Sequence, residues 1–228
     1  MPESTSEHAG SDLFATISYD TSRRNFLRRA GTVAAAGSVV GMLSACSDDD
    51  STGPTGSAVV TLPLRSDGDI LKFALFLELL EADFYTRAVA RGVLTGPVAA
   101  LATSIRDHEL AHVAFLQSAL GSEAFGFGDV SFDFAASLNT QASFLATAQV
   151  LEQTGVGAYL GALGSIQSRG TRVAAGSIFT VEARHLAAVR AYNNASGGPV
   201  PNAFETGVAP EAVIDAVSAT GFVRRGLG

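Results

Sequence analysis

Several residue types are scarce in this chain, and each scarcity excludes a class of protein. The 228 residues include one cysteine and no tryptophan, and only 16% of them are charged. A single thiol cannot form an internal disulfide, so stability must come from packing or from a bound metal. Lys72 is the only lysine beside fourteen arginines, and the net charge is -7. The chain therefore offers no basic stripe for nucleic acid.

The first 45 residues have the features of an export signal. After a polar start, the stretch from Ser22 to Arg28 contains Arg23 and Arg24 and resembles the twin-arginine export motif. The uncharged run that follows, residues 30–45, is shorter than the roughly 20 residues that span a bilayer. We therefore expect residues 1–45 to be a twin-arginine signal peptide that uses the twin-arginine export machinery. The alternative is a short buried helix.

The only cysteine lies where that apolar run ends. Leu43-Ser44-Ala45-Cys46 resembles a bacterial lipoprotein box, in which the cysteine is acylated and becomes the mature N-terminus. Residues 46–67 would then be the anchor cysteine and a flexible tether rich in glycine, serine and threonine. We expect an exported protein of the cell envelope or periplasm, attached to the membrane only through lipid on Cys46. A stray cysteine before an ordinary cleavage site is the alternative.

Helical periodicity dominates the remainder and predicts an all-α fold. Glycine and proline signals bound the four predicted helices, which cover residues 69–91, 97–120, 138–165 and 171–195. Short connections, the second around Gly170, should make each pair an antiparallel hairpin. Residues 122–137 alternate aromatic residues with glycine and predict an extended crossover, long enough to follow a 25-residue helix of about 37 Å.

These elements define the predicted domain organisation. Residues 68–195 would form a four-helix bundle of two antiparallel hairpins joined by the long crossover. Residues 196–228 would form a C-terminal extension with a short helix at 210–219, which we expect to cover one end of the bundle. A homodimer through an apolar helix face is a further expectation.

Two Glu-x-x-His pairs lie near the middle of the second and fourth predicted helices, Glu109 with His112 and Glu182 with His185. Residues three apart share one helix face, so each pair can direct two ligands at one point. The first pair also belongs to a His-Glu-x-x-His sequence that starts at His108. That pattern matches zinc peptidases, where both histidines bind metal and the glutamate is the general base. The peptidase interpretation leaves the second pair unexplained.

The first and third helices each contain a glutamate within an apolar stretch, Glu78 and Glu152. A buried carboxylate is costly unless a cation or hydrogen-bond donors compensate it, although arginine pairing would also serve. Each glutamate is followed seven residues later by a tyrosine, Tyr85 or Tyr159. The intervals from these glutamates to the Glu-x-x-His pairs are 31 and 30 residues. This repeat indicates two hairpins related by a pseudo-twofold axis.

All six candidate ligands lie near the midpoints of their helices, so they should meet at one level in the bundle core. Four carboxylates bring a charge of about -4, which two divalent cations would neutralise. An oxygen-rich set with one imidazole per metal suits iron or manganese. The sequence therefore predicts two Fe or two Mn ions.

This constellation resembles the ferritin-like di-metal carboxylate superfamily over residues 68–195. Its exported, single-bundle form is similar to the bacterial ferritin-like proteins often described as desiccation-related. The resemblance implies a ferritin-like four-helix bundle in which Glu78 and Glu152 are terminal ligands, Glu109 and Glu182 bridging ligands, and His112 and His185 one nitrogen ligand per metal. Glu81 would replace Glu78 or support the ligands from outside. Asp107, Tyr85 and Tyr159 would have a similar supporting role, and His108 would be either a surface group or a further supporting group.

The resemblance also implies redox chemistry with O2 or peroxide, in stress protection. With iron this would be ferroxidase or oxidase activity, and with manganese a catalase-like reaction. Many relatives carry Glu-Glu-x-His in the fourth helix, whereas Ala183 stands in the second position here, so no extra carboxylate is expected there. Two alternatives stay open, which are a metal-free structural bundle and a zinc metallopeptidase.

Overall fold

The computed structural model of the protein describes residue 62 and residues 64–227, and helices dominate this part of the chain. Four helices of 23 to 25 residues form two antiparallel hairpins, which confirms the predicted all-α fold. In chain order, the elements are α1 (Asp67–Arg91), α2 (Gly96–Leu120), a 3-10 helix (Gly121–Glu123), β1 (Ser131–Phe132), a second 3-10 helix (Ala135–Leu138), α3 (Gln141–Leu163), α4 (Arg169–Tyr192), α5 (Pro210–Ala219) and β2 (Val223–Arg225). Within the described residues, none of these helices combines the length and hydropathy of a membrane span.

Capping residues set the ends of the helices, and the predicted starts of α1, α3 and α4 differ from the observed ones by two or three residues. Helix α3 begins at Gln141 instead of Leu138, because Thr140 forms a capping box with Ser143. Helix α4 begins at Arg169, because the Ser168 side chain accepts a hydrogen bond from the Thr171 backbone. The predicted turn around Gly170 is therefore part of the first turn of α4, and residues 164–168 make the connection. Helix α4 also ends at Tyr192, three residues before the predicted end.

Helix α1 lies at the centre of the bundle. Ten consecutive residues, 73–82, are buried, which is more than the single apolar face of a surface helix. Further along α1, the Phe84 ring stacks on Phe144 of α3 with 5.3 Å between centroids. It also meets Phe134 of the crossover edge to face at 5.2 Å. Charged residues in the buried part of α1 therefore face protein and not water.

The crossover follows α1 from one end to the other. Near its start, Glu123 forms a 2.5 Å ion pair with Lys72 in the first turns of α1. At its end, Asn139 accepts a 2.8 Å hydrogen bond from Arg91, the last residue of α1. The segment contains two 3-10 turns and a two-residue strand, so it is less extended than predicted, but it spans the bundle as expected.

Helix α3 then runs back toward the start of α1. The Asp67 carboxylate accepts hydrogen bonds of 2.7 Å from the backbone amides of Gln167 and Ser168, just after α3 ends. Helix α3 is thus antiparallel to α1, and α4 is parallel to it. The midpoints of all four helices consequently lie at one level, which is where the candidate ligands were predicted.

The C-terminal extension packs along the side of α3 and does not simply cover one end of the bundle. The Val208 amide donates a 2.8 Å hydrogen bond to the Gly157 carbonyl. A Cβ atom at Gly161 would lie 1.9 Å from the Val208 carbonyl oxygen, so glycine is required there. Beyond α5, strand β2 pairs with β1 of the crossover. Glycines in α3 therefore accommodate the extension.

Candidate metal centre

Six side chains from four helices meet in the core at the predicted level. The four carboxylates are fully inaccessible, and the two imidazoles are 5% to 9% exposed. One residue comes from α1, two from α2, one from α3 and two from α4. They are Glu78, Glu109, His112, Glu152, Glu182 and His185.

The six residues form two overlapping groups, each compact enough to hold one cation. One group contains Glu78, Glu109, His112 and Glu182, and the other contains Glu109, Glu152, Glu182 and His185. In each group, one ligand atom per residue lies within 4.8 Å of the others. Glu109 and Glu182 belong to both groups, while Glu78 and Glu152 each belong to one. We call these groups the His112 side and the His185 side.

On the His112 side, the imidazole Nδ1 faces three carboxylates. It lies 3.1 Å from Glu78, 3.2 Å from Glu109 and 3.3 Å from Glu182. One nitrogen can donate only one hydrogen bond well, so three oxygens at this distance surround a shared point. The His112 side therefore presents three oxygens and one nitrogen to a common centre.

On the His185 side, the contacts are close without being hydrogen bonds. His185 Nδ1 lies 2.9 Å from Glu109 Oε1, 3.6 Å from Glu152 Oε2 and 3.7 Å from Glu182 Oε2. All these atoms are buried and lack a hydrogen-bond partner in the described structure, as does Glu182 Oε1. Buried polar atoms are nearly always paired. Five such atoms at one place form a site that a cation could complete.

Two tyrosines hold the carboxylates that belong to one side each. The Tyr159 hydroxyl of α3 donates a 2.5 Å hydrogen bond to Glu78 of α1. Reciprocally, the Tyr85 hydroxyl of α1 donates to Glu152 of α3. Burial raises the pKa of both phenols well above the ordinary value, so the hydroxyls remain protonated donors. Each hairpin therefore orients a carboxylate of the other.

The carboxylates differ in their affinity for protons. Burial, followed by repulsion from Glu109 and Glu182, raises the pKa of Glu78 well above its ordinary value. Burial also raises the pKa of Glu152, to about 8. Burial opposes ionisation of Glu109 too, but its contacts with His112 and the other side chains lower its pKa to about 2. Glu109 is thus ionised at neutral pH, whereas Glu78 and Glu152 have a higher affinity for protons.

The two histidines are strong bases in this setting. Burial would lower their pKa values, but contact with the carboxylates outweighs it and raises both to about 12. Protonated imidazoles thus supply positive charge to those buried carboxylates that remain ionised. A divalent cation would take over this role, and its binding would release the protons.

Four of the five predicted neighbours lie close to the centre, and two of these are the tyrosines described above. Glu81 is buried and borders Glu182 near Gly155. His108 is on the outer side of His185, with 2.9 Å between its Nδ1 and His185 Nε2. Asp107, in contrast, is exposed and pairs with Arg106 at 2.7 Å. The expectation that Asp107 supports the ligands is wrong, because its side chain points away from the core.

The geometry does not favour the peptidase interpretation. His108 and His112 belong to no common group of candidate ligands within the described residues. Glu109 is fully buried between the two Glu-x-x-His pairs, whereas a general base must reach a substrate and its water. Arginine pairing is not seen either, since the ion pairs of Glu78 and Glu152 in the described structure involve histidines.

The residues present are compatible with a metal site. Four carboxylates and two imidazole nitrogens are groups that bind metal ions in proteins. The unpaired atoms Glu109 Oε1, Glu152 Oε2 and His185 Nδ1 are three of the donors needed on the His185 side. A buried cluster of histidine and carboxylate groups that could hold metal is therefore a property of this fold.

Two features of the centre were not predicted from the sequence. Gly155 provides space beside Glu81, and its position three residues after Glu152 was the available signal. A surface cleft of about 220 Å³ reaches His112 and is otherwise lined by Phe115, Ser177, Ile178 and Val181. The cleft had no sequence signal, because its walls come from two helices distant in the chain.

Comparison with known proteins agrees with this architecture. The sequence pattern of the ferritin-like domain matches residues 66–195, which include all four long helices up to Tyr192 and all six candidate ligands. No curated protein matches the chain. The match covers more than half of the 228 residues, and the fold agrees with it. The chain therefore belongs to the ferritin-like domain family.

Proposed function

We propose that this protein binds two Fe or two Mn ions between its four helices and uses them for redox chemistry with O2 or peroxide. One observation supports this most strongly. Five polar atoms of the cluster are buried without a hydrogen-bond partner in the described structure, and they converge from α2, α3 and α4. A purely structural cluster would pair such atoms, because each unpaired buried polar group costs about 1 to 3 kcal/mol.

Glu109 and Glu182 are the residues that would couple two ions. Glu109 directs Oε2 toward His112 and Oε1 toward His185. Glu182 directs Oε1 toward His112 and Oε2 toward His185. Each carboxylate thus offers one oxygen to each side. When bound, a pair of Fe or Mn ions would supply the two-electron change that O2 or peroxide chemistry requires.

The surrounding residues would control access and protonation. The apolar walls of the cleft, among them Phe115 and Ile178, allow a small neutral molecule to approach His112. The opposite side is closed by His108 stacked against His185, with 5.2 Å between ring centroids. Tyr85 and Tyr159 keep their protons and hold Glu152 and Glu78 in place. Small oxidants would therefore reach the centre from the His112 side.

Elemental analysis of protein isolated from its native envelope tests the proposal, together with an optical spectrum. We expect two iron or two manganese atoms per chain, and consumption of O2 or peroxide by the loaded protein. One zinc atom per chain would instead support a metallopeptidase. Metal-free protein that does not bind added Fe2+ or Mn2+ would support a structural, desiccation-related bundle and reject the proposal.

The proposal includes export of the protein to the cell envelope. Arg23, Arg24 and Cys46 lie outside the described residues, so support comes from the sequence motifs alone. Twin-arginine export carries folded cargo, so metal would be loaded in the cytoplasm before the protein meets copper or zinc, which bind such sites more tightly than manganese. Rerouting the chain through a signal for unfolded export should yield mismetallated protein. Normal metal content after rerouting would reject cytoplasmic loading.

A further inference from the structure

The two halves of the centre differ at one buried position. Three residues after Glu78 the chain has Glu81, whereas three residues after Glu152 it has Gly155. These are equivalent positions in the repeat, because Tyr85 and Tyr159 each follow four residues later. Glu81 is only 4% exposed. The core therefore contains a fifth carboxylate that has no counterpart in the second hairpin.

Gly155 provides the space that Glu81 occupies. A Cβ atom at residue 155 would lie 3.2 Å from Glu81 Oε1 and 3.5 Å from Glu182 Oε2. The first distance is closer than an ordinary van der Waals contact, so an alanine would displace the Glu81 carboxylate. The same small space is thus bordered by Glu81 and by a candidate bridging ligand.

This space belongs to the His185 side of the centre. Glu182 Oε2, the oxygen that borders it, is the one that faces His185, whereas Glu182 Oε1 faces His112. Gly155 is also one helical turn from Glu152, the carboxylate found only in the His185 group. Glu81 therefore lies beside the His185 side, although Glu78, three residues earlier, belongs to the His112 side.

The Glu81 carboxylate makes no hydrogen bond to another described residue, although it is not among the fully inaccessible unpaired atoms. The hydrogen bonds around the described cluster join other side chains, and none of them reaches Glu81. A buried carboxylate without a partner is costly. Glu81 lies just outside the two compact ligand groups, so it needs a rotation of its side chain to reach a cation. Because residue 155 has no side chain, the Glu81 carboxylate and Glu182 Oε2 border one small space.

We propose that Glu81 is a seventh ligand, specific to the ion on the His185 side, and that this ion is held more tightly than its neighbour. The inference rests on the proposed function, since it requires a pair of ions. An additional carboxylate strengthens the attraction for a cation on one side only. The centre would then contain one retained ion and one exchangeable ion.

The outer surroundings of the two histidines support the same asymmetry. His185 has His108 behind it, with 2.9 Å between the ring nitrogens, which fixes the orientation of its imidazole. His108 comes one residue before its Glu-x-x-His pair, and the equivalent residue of the second hairpin is Val181. Val181 lines the cleft at His112. The His185 side is thus closed and supported, while the His112 side is open to the surface.

Titration of metal-free protein with Mn2+, followed by calorimetry, tests the inference. Wild-type protein should bind two Mn2+ in two steps of different affinity. Glu81→Gln should weaken the tighter step about 10- to 100-fold, the range found when groups that support a metal site are lost, and should leave the weaker step unchanged. Gly155→Ala should act in the same direction. Gly176→Ala is the matched control, because that helical glycine has open space around it.

A second measurement assigns each step to a side. Crystals soaked at limiting Mn2+ should show anomalous scattering first beside His185, and Glu78→Gln should reduce the occupancy beside His112 only. Failure of wild-type protein to bind Mn2+ would overturn the proposed function and this inference with it. Two ions bound with unchanged affinity in both Glu81→Gln and Gly155→Ala would overturn the inference alone, as would first occupancy beside His112. Circular dichroism would verify that each variant is folded.

Discussion

The Tyr159 hydroxyl reaches across the bundle to Glu78, with 2.5 Å between the two oxygens, and Tyr85 makes the reciprocal contact to Glu152. These hydrogen bonds connect the two hairpins through the residues of the centre itself. Helix packing and ligand geometry are therefore coupled. A substitution that disturbs one contact should change both the stability of the bundle and its affinity for metal.

Removal of either hydroxyl should destabilise the metal-free protein. We expect Tyr159→Phe and Tyr85→Phe each to lower the free energy of unfolding by about 1 to 3 kcal/mol, because a buried carboxyl group loses its donor. Urea unfolding in the presence of a chelator measures this change. Tyr192→Phe is the control, since Tyr192 is 42% exposed. Equal stability of the control and the two core variants would contradict a role for these hydrogen bonds.

Substitution of a glutamate that belongs to both ligand groups should weaken the binding of two ions. Substitution of a glutamate that belongs to one group should weaken the binding of only one. Glu182 belongs to both ligand groups, whereas Glu152 belongs only to the His185 group. We therefore expect Glu182→Gln to weaken binding of both Mn2+ ions, and Glu152→Gln to weaken one. Mn2+ stoichiometry at a fixed free concentration distinguishes the two results. Glu211→Gln, at an exposed position in α5, should retain both ions. Loss of one ion in every core variant would contradict the shared role.

The metal-free protein should become less stable as the pH rises above about 4.5, and more steeply above about 6.5. Glu152 has a folded pKa of about 8 against an ordinary 4.5, so the folded state retains its proton between these values. His112 and His185 have folded pKa values of about 12 and retain theirs above 6.5. Each proton held only by the folded state costs about 1.4 kcal/mol of stability per pH unit of increase.

Below about pH 4.5, ionised Glu109 changes the stability in the opposite direction. The pKa of Glu109 is about 2 in the folded protein, so its ionised form stabilises the fold above pH 4.5. This stabilisation is lost as the pH falls toward 2. Maximal stability of the metal-free form should therefore lie near pH 4.5. Unfolding curves at pH 5.5, 7 and 8.5 with a chelator test this. Added Mn2+ should reverse the trend, because its ligands must be deprotonated. Constant stability of the metal-free form would contradict the pKa values.

The candidate ligands could be recognised from the sequence because residue spacing determines the height and the face of each side chain on a helix. Glu78 and Glu152 interrupt apolar stretches, and each precedes a Glu-x-x-His pair by nearly the same interval. A helix rises by a constant 1.5 Å per residue, so equal intervals in two hairpins place the side chains at one height. That argument needs no tertiary information, and the six side chains do converge.

Other features depend on contacts that local patterns do not encode. The start of α4 was misplaced because Gly170 suggested a turn, while the cap at Ser168 determines the start. Asp107 was grouped with the centre because of its neighbours in the chain, but one residue along a helix turns the side chain by about 100°. The space beside Glu81 requires knowing which residue of α3 faces α1. These features follow from packing between distant segments.

The contact between Gly161 and Val208 gives a test of how the extension is held. An alanine Cβ at position 161 would lie 1.9 Å from the Val208 carbonyl oxygen, a separation that requires movement of the backbone. We expect Gly161→Ala to lower the free energy of unfolding by about 1 to 3 kcal/mol, as overpacking does in well-packed cores. It should also detach residues 205–209 from α3, which increased amide hydrogen exchange at Val208 would report.

Gly176→Ala again provides the control. That glycine lies within α4 and has open space around it, so alanine should raise stability by about 0.5 to 1 kcal/mol through its higher helix propensity. Opposite signs for the two substitutions would show that glycine in α3 serves the docked extension and not helix flexibility. If Gly161→Ala were also stabilising, with unchanged exchange at Val208, the extension would not pack against α3 in solution.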